Sequence, residues 1–351
     1  MTNRPDHPLP SARRRPPAVL LLLLSVTLLL IAAIAALVIG RAMLSPGDVI
    51  AVLTHALTGK GEVPLANKTI VMGVRLPRVV AAAMIGGALA VSGTAYQGLF
   101  RNPMVSPDIL GASTGASFGA ALALLLSTSR SGVQAAAFVG GVIAVLLTYT
   151  SARKIGRGTD QVLLLVLCGM IVSALFQAFV SAVKYTADPD SKLPEITYWL
   201  MGSIAKVTWP DLALYAIPFT VGLVPIIALR WRLNALAFGE EEAESLGVNV
   251  VALRATCIVC ATLLTASSVA ISGVISWIGL IMPHLVRFIA GPDNRIVVPL
   301  SIILGGAFLV LVDTACHTII ASEIPLGILT SVIGAPLFFV ILINGRRAGR
   351  S

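Results

Sequence analysis

Ionisable residues inside apolar stretches are the first candidates for chemistry in this chain, because an ionisable group in such surroundings is costly and usually functional. They are Asp313, His317 and Glu323, with Gln97 and Gln177 as polar neighbours. Asp313 and His317 are four positions apart and would share one helix face. The pair fits a structural contact near a helix end as well as a functional site, and three groups are too few for a proton relay.

The sequence contains no convincing motif for catalysis, nucleotide binding or metal binding. Asn67-Lys68-Thr69 resembles the end of a phosphate-binding loop, but Asn67 and Glu62 occupy its two glycine positions. Cys257 and Cys260 form a C-x-x-C in an apolar run without flanking histidine or charge, which favours packing over metal or redox chemistry. We therefore predict no catalytic residue, metal site or cofactor.

An acidic cluster stands out between residues 230 and 254, with Glu240, Glu241, Glu242 and Glu244 close together. A short helix ended by Gly247 would present these carboxylates and Leu246 to a soluble partner. A solvated acidic turn is the alternative interpretation.

Glycines also recur at helical spacing. Gly111, Gly115 and Gly119 are four residues apart, and Gly86 and Gly93 lie in another small-residue stretch. Small residues on one face allow helix backbones to approach closely within a membrane. Helix packing is the simplest interpretation of both patterns.

The elements that must position these residues are membrane helices. The chain has 351 residues, of which 57% are hydrophobic and only 12% charged, about half the charged share of soluble domains. Apolar runs of about 20 residues span a bilayer as helices, whereas barrel strands are shorter and alternate in polarity. We predict an all-α polytopic membrane protein of about ten spans, over Ala18–Gly40, Val79–Phe100, Ile109–Ser129, Ser131–Ala152, Gln161–Val183, Leu212–Leu229, Ala255–Val286 (split in two around Gly273), Ile296–Val312 and Ile324–Gly345.

The distribution of lysine and arginine predicts that both termini lie inside the cell. With that orientation, 16 of the 25 basic residues fall on the cytoplasmic side, as the positive-inside rule requires. Topology therefore accounts for the net charge of +9. Nucleic-acid binding would require a soluble basic face, and the sequence predicts none. We assign residues 1–16 and 346–351 to cytoplasmic tails and 17–345 to one transmembrane domain, with an outer helix over Val49–Leu57 and a second outer segment at Lys192–Lys206.

Four segments form a recognisable set in this order: residues 75–120, 238–250 (FGEEEAESLGVNV), 272–295 (SGVISWIGLIMPHLVRFIAGPDNR) and 323–336 (EIPLGILTSVIGAP). Together they resemble the FecCD-type permeases, the membrane subunits of ATP-binding cassette (ABC) importers for iron-siderophores, haem and cobalamin. Three places depart from the pattern: the family often has arginine where His317 stands, histidine where Asn294 stands, and a Leu-Ala pair where Met104-Val105 stands.

The resemblance implies a type II ABC importer permease fold in the inner membrane, forming a homodimer or pairing with a second permease, with its path along the dimer axis. It also implies partners: a separate ABC ATPase, and a periplasmic or lipid-anchored substrate-binding protein. The implied ATPase-coupling residues are Phe238, Gly239, Glu240, Glu241, Glu242, Ala243, Leu246 and Gly247. Those facing the binding protein are Arg75, Arg78, Asp48 and His55, and those beside the translocation path are Gln97, Gly86, Gly93, Gly111 and Gly115.

The resulting hypothesis is a permease that translocates an iron-siderophore or a related metal chelate and hydrolyses no ATP itself. Haem and cobalamin are the next candidate substrates, and oxyanions such as molybdate are further alternatives. The alternative is an ion-coupled secondary transporter. Such transporters often use an ion-coupling carboxylate near the membrane midplane, and no acidic residue lies in the middle of a predicted span.

Overall fold

The computed structural model describes residues 17–42, 44–156, 161–320 and 322–348, and within these ranges the regular structure is helical throughout. The first helices are α1 (Ala18–Val38), α2 (Pro46–Thr58), α3 (Leu65–Lys68), α4 (Leu76–Leu99), α5 (Ala112–Leu125), α6 (Arg130–Ile155), α7 (Gln161–Thr186) and α8 (Lys192–Leu200). The others are α9 (Trp209–Leu229), α10 (Arg232–Leu236), α11 (Glu240–Ser245), α12 (Val250–Ser272), α13 (Ile278–Ala290), α14 (Asn294–Thr318) and α15 (Leu326–Ala348). The predicted tail 1–16 and residues 349–351 lie outside the described ranges.

Each of the ten predicted spans overlaps one of these helices, most of which extend beyond the predicted bounds, and eight described helices are long and apolar enough to cross a membrane. The other two, α5 and α13, have 14 and 13 residues. At 1.5 Å per residue they extend only about 20 Å, less than the roughly 30 Å of a bilayer core. Irregular backbone precedes each of them: residues 100–106 and a 3₁₀ helix at Pro107–Leu110 come before α5, and residues 273–277 come before α13.

The predicted break at Gly273 is confirmed. Helix α12 ends at Ser272, and Gly273 follows with φ of 70°, a backbone conformation that side chains disfavour. A Cβ at this position would lie 2.4 Å from the Trp199 carbonyl oxygen. Conformation and crowding both require glycine here, and α12 and α13 are separate helices for that reason.

The second predicted span begins too late in the sequence. Helix α4 continues from α3 through a π-helical stretch, Thr69–Arg75, so that one apolar helix runs over Leu65–Leu99. The charges of Lys68, Arg75 and Arg78 interrupt the apolar run but do not end the helix. This element is the most thoroughly buried of the eight long helices, and it packs against α14, α12 and α13.

Close glycine contacts hold this helix bundle together, as the small-residue pattern predicted. A Cβ on Gly86 would lie 2.2 Å from the Gly305 carbonyl oxygen of α14, and one on Gly115 would lie 2.4 Å from that of Gly140 in α6. Gly111 is a correction to the predicted three-glycine stripe. It precedes α5 with φ of 89° and serves as its N-cap, so it allows a left-handed turn and does not lie on the helix face.

Candidate functional site

The segment around α11 depends on one glycine at each end of the helix. Gly239 precedes the helix with φ of 130° and ψ of 164°, a region that essentially only glycine occupies. At the other end Gly247 has φ of 79°. Its N–H donates to Glu244 O at 2.9 Å, and the Val248 N–H donates to Ala243 O at 3.0 Å. This is a Schellman motif, and it confirms the predicted short helix ended by Gly247.

One side of α11 is fixed to the transmembrane bundle. Ala243 is completely buried, and the guanidinium of Arg254 on α12 donates to the Glu240 carboxylate. Arg254 also donates to Gln161 Oε1 on α7 at 2.6 Å. Glu240 therefore points toward the bundle, which corrects the prediction that all the carboxylates face outward. Glu240 and Arg254 are 14 residues apart in sequence, so the composition of the acidic cluster could not predict that they pair.

The other side of α11 forms an exposed surface, which we call the coupling surface: Phe238, Glu241, Glu242, Glu244 and Leu246. The Phe238 side chain is 75% exposed and that of Leu246 is 65% exposed. The three glutamates are exposed and form no ion pair with the described residues. Two apolar side chains beside three free carboxylates suit a partner cleft with apolar and basic lining.

Arg75 occupies a different environment from the one predicted. It is buried, and its guanidinium donates to three carbonyl oxygens at the end of α1: Leu37 at 2.5 Å, Val38 at 2.9 Å and Ala42 at 2.5 Å. Cations interact favourably with the carbonyls at a helix C-terminus. Arg75 thus ties α1 to the central helix, and its guanidinium is not available on an outer surface in this structure.

Arg78 is also enclosed, in an ion cluster with Asp313 and Glu323. It makes a bidentate contact to Asp313, with Nε at 2.7 Å from Oδ2 and Nη2 at 2.8 Å from Oδ1, and Nη2 also donates to Glu323. The predicted neighbour His317 places Nδ1 at 2.7 Å from the Asp313 backbone carbonyl oxygen and at 4.0 Å from Asp313 Oδ2, so the two residues do share one helix face. The main partner of Asp313 is therefore Arg78, 235 residues away in sequence, and helix periodicity could not identify it.

Asp48 and His55 belong to the outer helix α2 and remain accessible. The Asp48 carboxylate accepts hydrogen bonds from the Ser45 hydroxyl at 2.7 Å and the Ser45 N–H at 2.9 Å, completing a capping box. These bonds lower the pKa of the Asp48 carboxyl. His55 Nδ1 lies 2.9 Å from Gly61 O and holds the turn after α2. Both contacts shape the helix ends and leave the outer face of α2 open.

The residues predicted beside a translocation path lie inside the subunit. Gln97 is buried; its Nε2 donates to Val105 O at 3.2 Å and Leu280 O at 3.2 Å, and Arg287 donates to its Oε1. A Cβ on Gly93 would lie 1.7 Å from Gly279 O. Gln97 and Gly93 therefore join α4 to α13, and Gly86, Gly111 and Gly115 pack against neighbouring helices. In this structure all five serve internal packing.

Comparison with known proteins decides the family. The model of the FecCD transport family matches residues 28–344, which is most of the chain. The chain belongs to the FecCD transport family. The molybdate import system permease protein MolB of Haemophilus influenzae is 38% identical over 316 residues, covering 90% of this chain and 93% of MolB. The cobalamin import system permease protein BtuC of Halobacterium salinarum is 40% identical over 281 residues, covering 80% and 75%.

A solved structure agrees with this FecCD assignment. It is described as an inward-facing conformation of a metal-chelate type ABC transporter, with a TM-score of 0.83, 36% identity, and coverage of 93% of this chain and 99% of that chain. The FecCD chain described here is therefore a multi-pass ABC importer permease of the inner membrane. Permeases of this class act with an ATPase and a substrate-binding protein.

Proposed function

We propose that this permease imports an iron-siderophore or a related metal chelate as a homodimer, and that a separate ABC ATPase binds the coupling surface. The observation that carries the proposal is the arrangement of α11. A short helix with an exposed apolar residue at each end is held rigidly by the Arg254–Glu240 ion pair and the buried Ala243.

Rigidity matters because the proposed partner drives movement. Nucleotide-dependent closure of two ATPases can tilt the transmembrane helices only if the contacting element transmits force to them. The ion pair of Arg254 fixes α11 to α12, and the contact from Arg254 to Gln161 fixes the same point to α7. Displacement of α11 would therefore act on two spanning helices at once.

Charge and shape changes on the coupling surface are expected to weaken ATPase association. Leu246→Asp places a charge where an apolar side chain would be buried, and Glu242→Arg reverses one carboxylate. Each is expected to weaken association at least tenfold, since loss of a central interface contact typically costs about 2 kcal/mol or more. Co-purification of the permease with candidate ABC ATPases from the same organism, followed by titration of the bound fraction, measures the loss.

Leu57→Asp is the matched control. Leu57 is 87% exposed on α2, so the substitution has the same chemistry at a site on the opposite membrane face of the predicted topology. It should leave ATPase association unchanged. If the folded Leu246→Asp and Glu242→Arg variants still bind the ATPase as wild type does, the coupling surface is not part of the ATPase interface.

The substrate proposal requires its own measurement, because the relatives named above import molybdate and cobalamin. The solved structure named above is described as a metal-chelate type ABC transporter, which supports a metal chelate as the cargo. We expect an assembled complex of permease, ATPase and binding protein to hydrolyse ATP several times faster with one ferric siderophore of a panel. Haem, cobalamin and molybdate complete the panel, and stimulation by one of them alone would replace the proposed cargo.

The assembled complex tests the subunit number, and the isolated permease tests the transport mechanism. Native mass spectrometry should give two copies of this chain for two ATPase subunits. Proteoliposomes that contain the permease alone should accumulate no chelate under a proton or sodium gradient. Gradient-driven uptake by the isolated permease would support the ion-coupled alternative.

A further inference from the structure

A cleft of about 450 Å³ opens between the end of α9 and the start of α14, and none of its lining residues belongs to the coupling surface. Val224, Ile227 and Ala228 line it from within α9. Arg230 and Trp231 follow the last residue of α9, and Arg295 comes from the first turn of α14. The cleft therefore combines an apolar wall inside a spanning helix with two arginines and a tryptophan at the helix ends.

The arginines at this cleft are not neutralised by carboxylates of the described chain. The ion pairs formed within the described ranges include neither Arg230 nor Arg295. Arg230 Nη1 has only a long contact to Ile227 O, at 3.3 Å. Asp293 is the acidic residue nearest to Arg295 in sequence, but it does not pair with the Arg295 guanidinium. Its carboxylate accepts hydrogen bonds from Asn234 Nδ2 at 2.6 Å and from the Arg295 backbone N–H at 2.9 Å.

The chemistry of the cleft specifies an amphipathic anion. Val224 is 55% exposed and Trp231 is 45% exposed, so the apolar wall is open to the membrane and the tryptophan suits the lipid–water interface. Arg232 lies next in sequence, with its guanidinium 5.4 Å from the centre of the Trp231 ring, and adds to the local positive charge. A free inorganic anion would use the arginines but leave the apolar wall unoccupied.

We propose that this cleft binds an anionic phospholipid, with the headgroup phosphate on Arg230 and Arg295 and an acyl chain along Val224 and Ile227. Basic pockets between spanning helices at the cytoplasmic face are suited to acidic headgroups, and that leaflet is negatively charged. The predicted orientation places both arginines on this face. Because α10 begins at Arg232, a bound lipid would also steady the first residues of the segment that leads to α11.

Native mass spectrometry of the detergent-solubilised full chain with added phosphatidylglycerol or phosphatidylcholine tests the proposal. We expect wild type to retain phosphatidylglycerol preferentially. An Arg230→Gln, Arg295→Gln double variant should bind it about 30-fold more weakly, since each arginine near the surface contributes roughly a factor of five. The Arg230→Lys, Arg295→Lys variant should keep most of the preference, because lysine retains the charge.

Arg101→Gln with Arg153→Gln is the matched control, because it removes two exposed arginines from the same predicted face without touching the cleft. It should retain the lipid as wild type does. Equal lipid retention by the glutamine variant of the cleft, or no preference of wild type over phosphatidylcholine, would overturn the proposal. Displacement of the lipid by millimolar inorganic phosphate would also overturn it, by identifying a simple anion site.

Discussion

Asp313→Asn is expected to lower the free energy of unfolding by about 3 kcal/mol, because it removes the main counter-charge of an enclosed arginine. Breaking a buried ion pair from one side typically costs about 3–5 kcal/mol, and Glu323 still supplies one carboxylate to Arg78. Thermal unfolding in detergent can be followed by thiol labelling, because Cys168, Cys257, Cys260 and Cys316 are all buried and free.

Three variants separate this effect from a general loss of stability. Glu323→Gln should cost less, because the Glu323 side chain is 30% exposed while that of Asp313 is 5% exposed. Arg130→Gln breaks a 2.8 Å ion pair whose arginine is 48% exposed, which should cost at most about 1 kcal/mol. Joint replacement of Arg78 and Asp313 by Met and Leu should restore much of the loss, since the one charge left without its partner is Glu323, whose side chain is 30% exposed. If Asp313→Asn unfolds at the same midpoint as Arg130→Gln, the cluster is not a stabilising element.

Gly93→Ala should destabilise the bundle by about 3 kcal/mol or more, through one added methyl group. The new Cβ would lie 1.7 Å from Gly279 O, 2.5 Å from its C and 2.8 Å from its Cα. All three are backbone atoms, so no side-chain rotation can relieve the overlap, and α4 and α13 must separate. Overpacking costs typically 1–3 kcal/mol when side chains can adjust, and here they cannot.

Gly98→Ala is the matched control five residues further along the same helix. Its added Cβ would meet only the Leu233 side chain, at 3.6 Å or more, which is ordinary contact. Alanine favours a helix over glycine by up to about 1 kcal/mol, so Gly98→Ala should be neutral or slightly stabilising. Equal unfolding midpoints for Gly93→Ala and Gly98→Ala would show that the α4–α13 contact is looser than the structure indicates.

Of the two predicted partner surfaces, one has the predicted local structure and the other has arginines that are enclosed within the chain. The coupling surface was predictable because its signals are local: consecutive glutamates, a terminating glycine and a short span between helices. The outer arginines were not, because Arg75 and Arg78 satisfy acceptors 38 and 235 residues away. A basic residue near a helix end looks the same in sequence whether it meets a partner or the protein's own carbonyl groups.

The sequence by itself determined the membrane class, the ten helical segments, the break at Gly273 and the family, because hydrophobic length, glycine conformation and ordered motifs are properties of contiguous residues. Only the tertiary structure decided which small residues meet and which charges pair. In the folded chain Gly93 packs against Gly279, and Arg78 forms an ion pair with Asp313. Glu240 pairs with Arg254, and Arg230 and Arg295 line one cleft. These contacts join residues far apart in the chain, so they depend on how the helices pack and not on the pattern within any one of them.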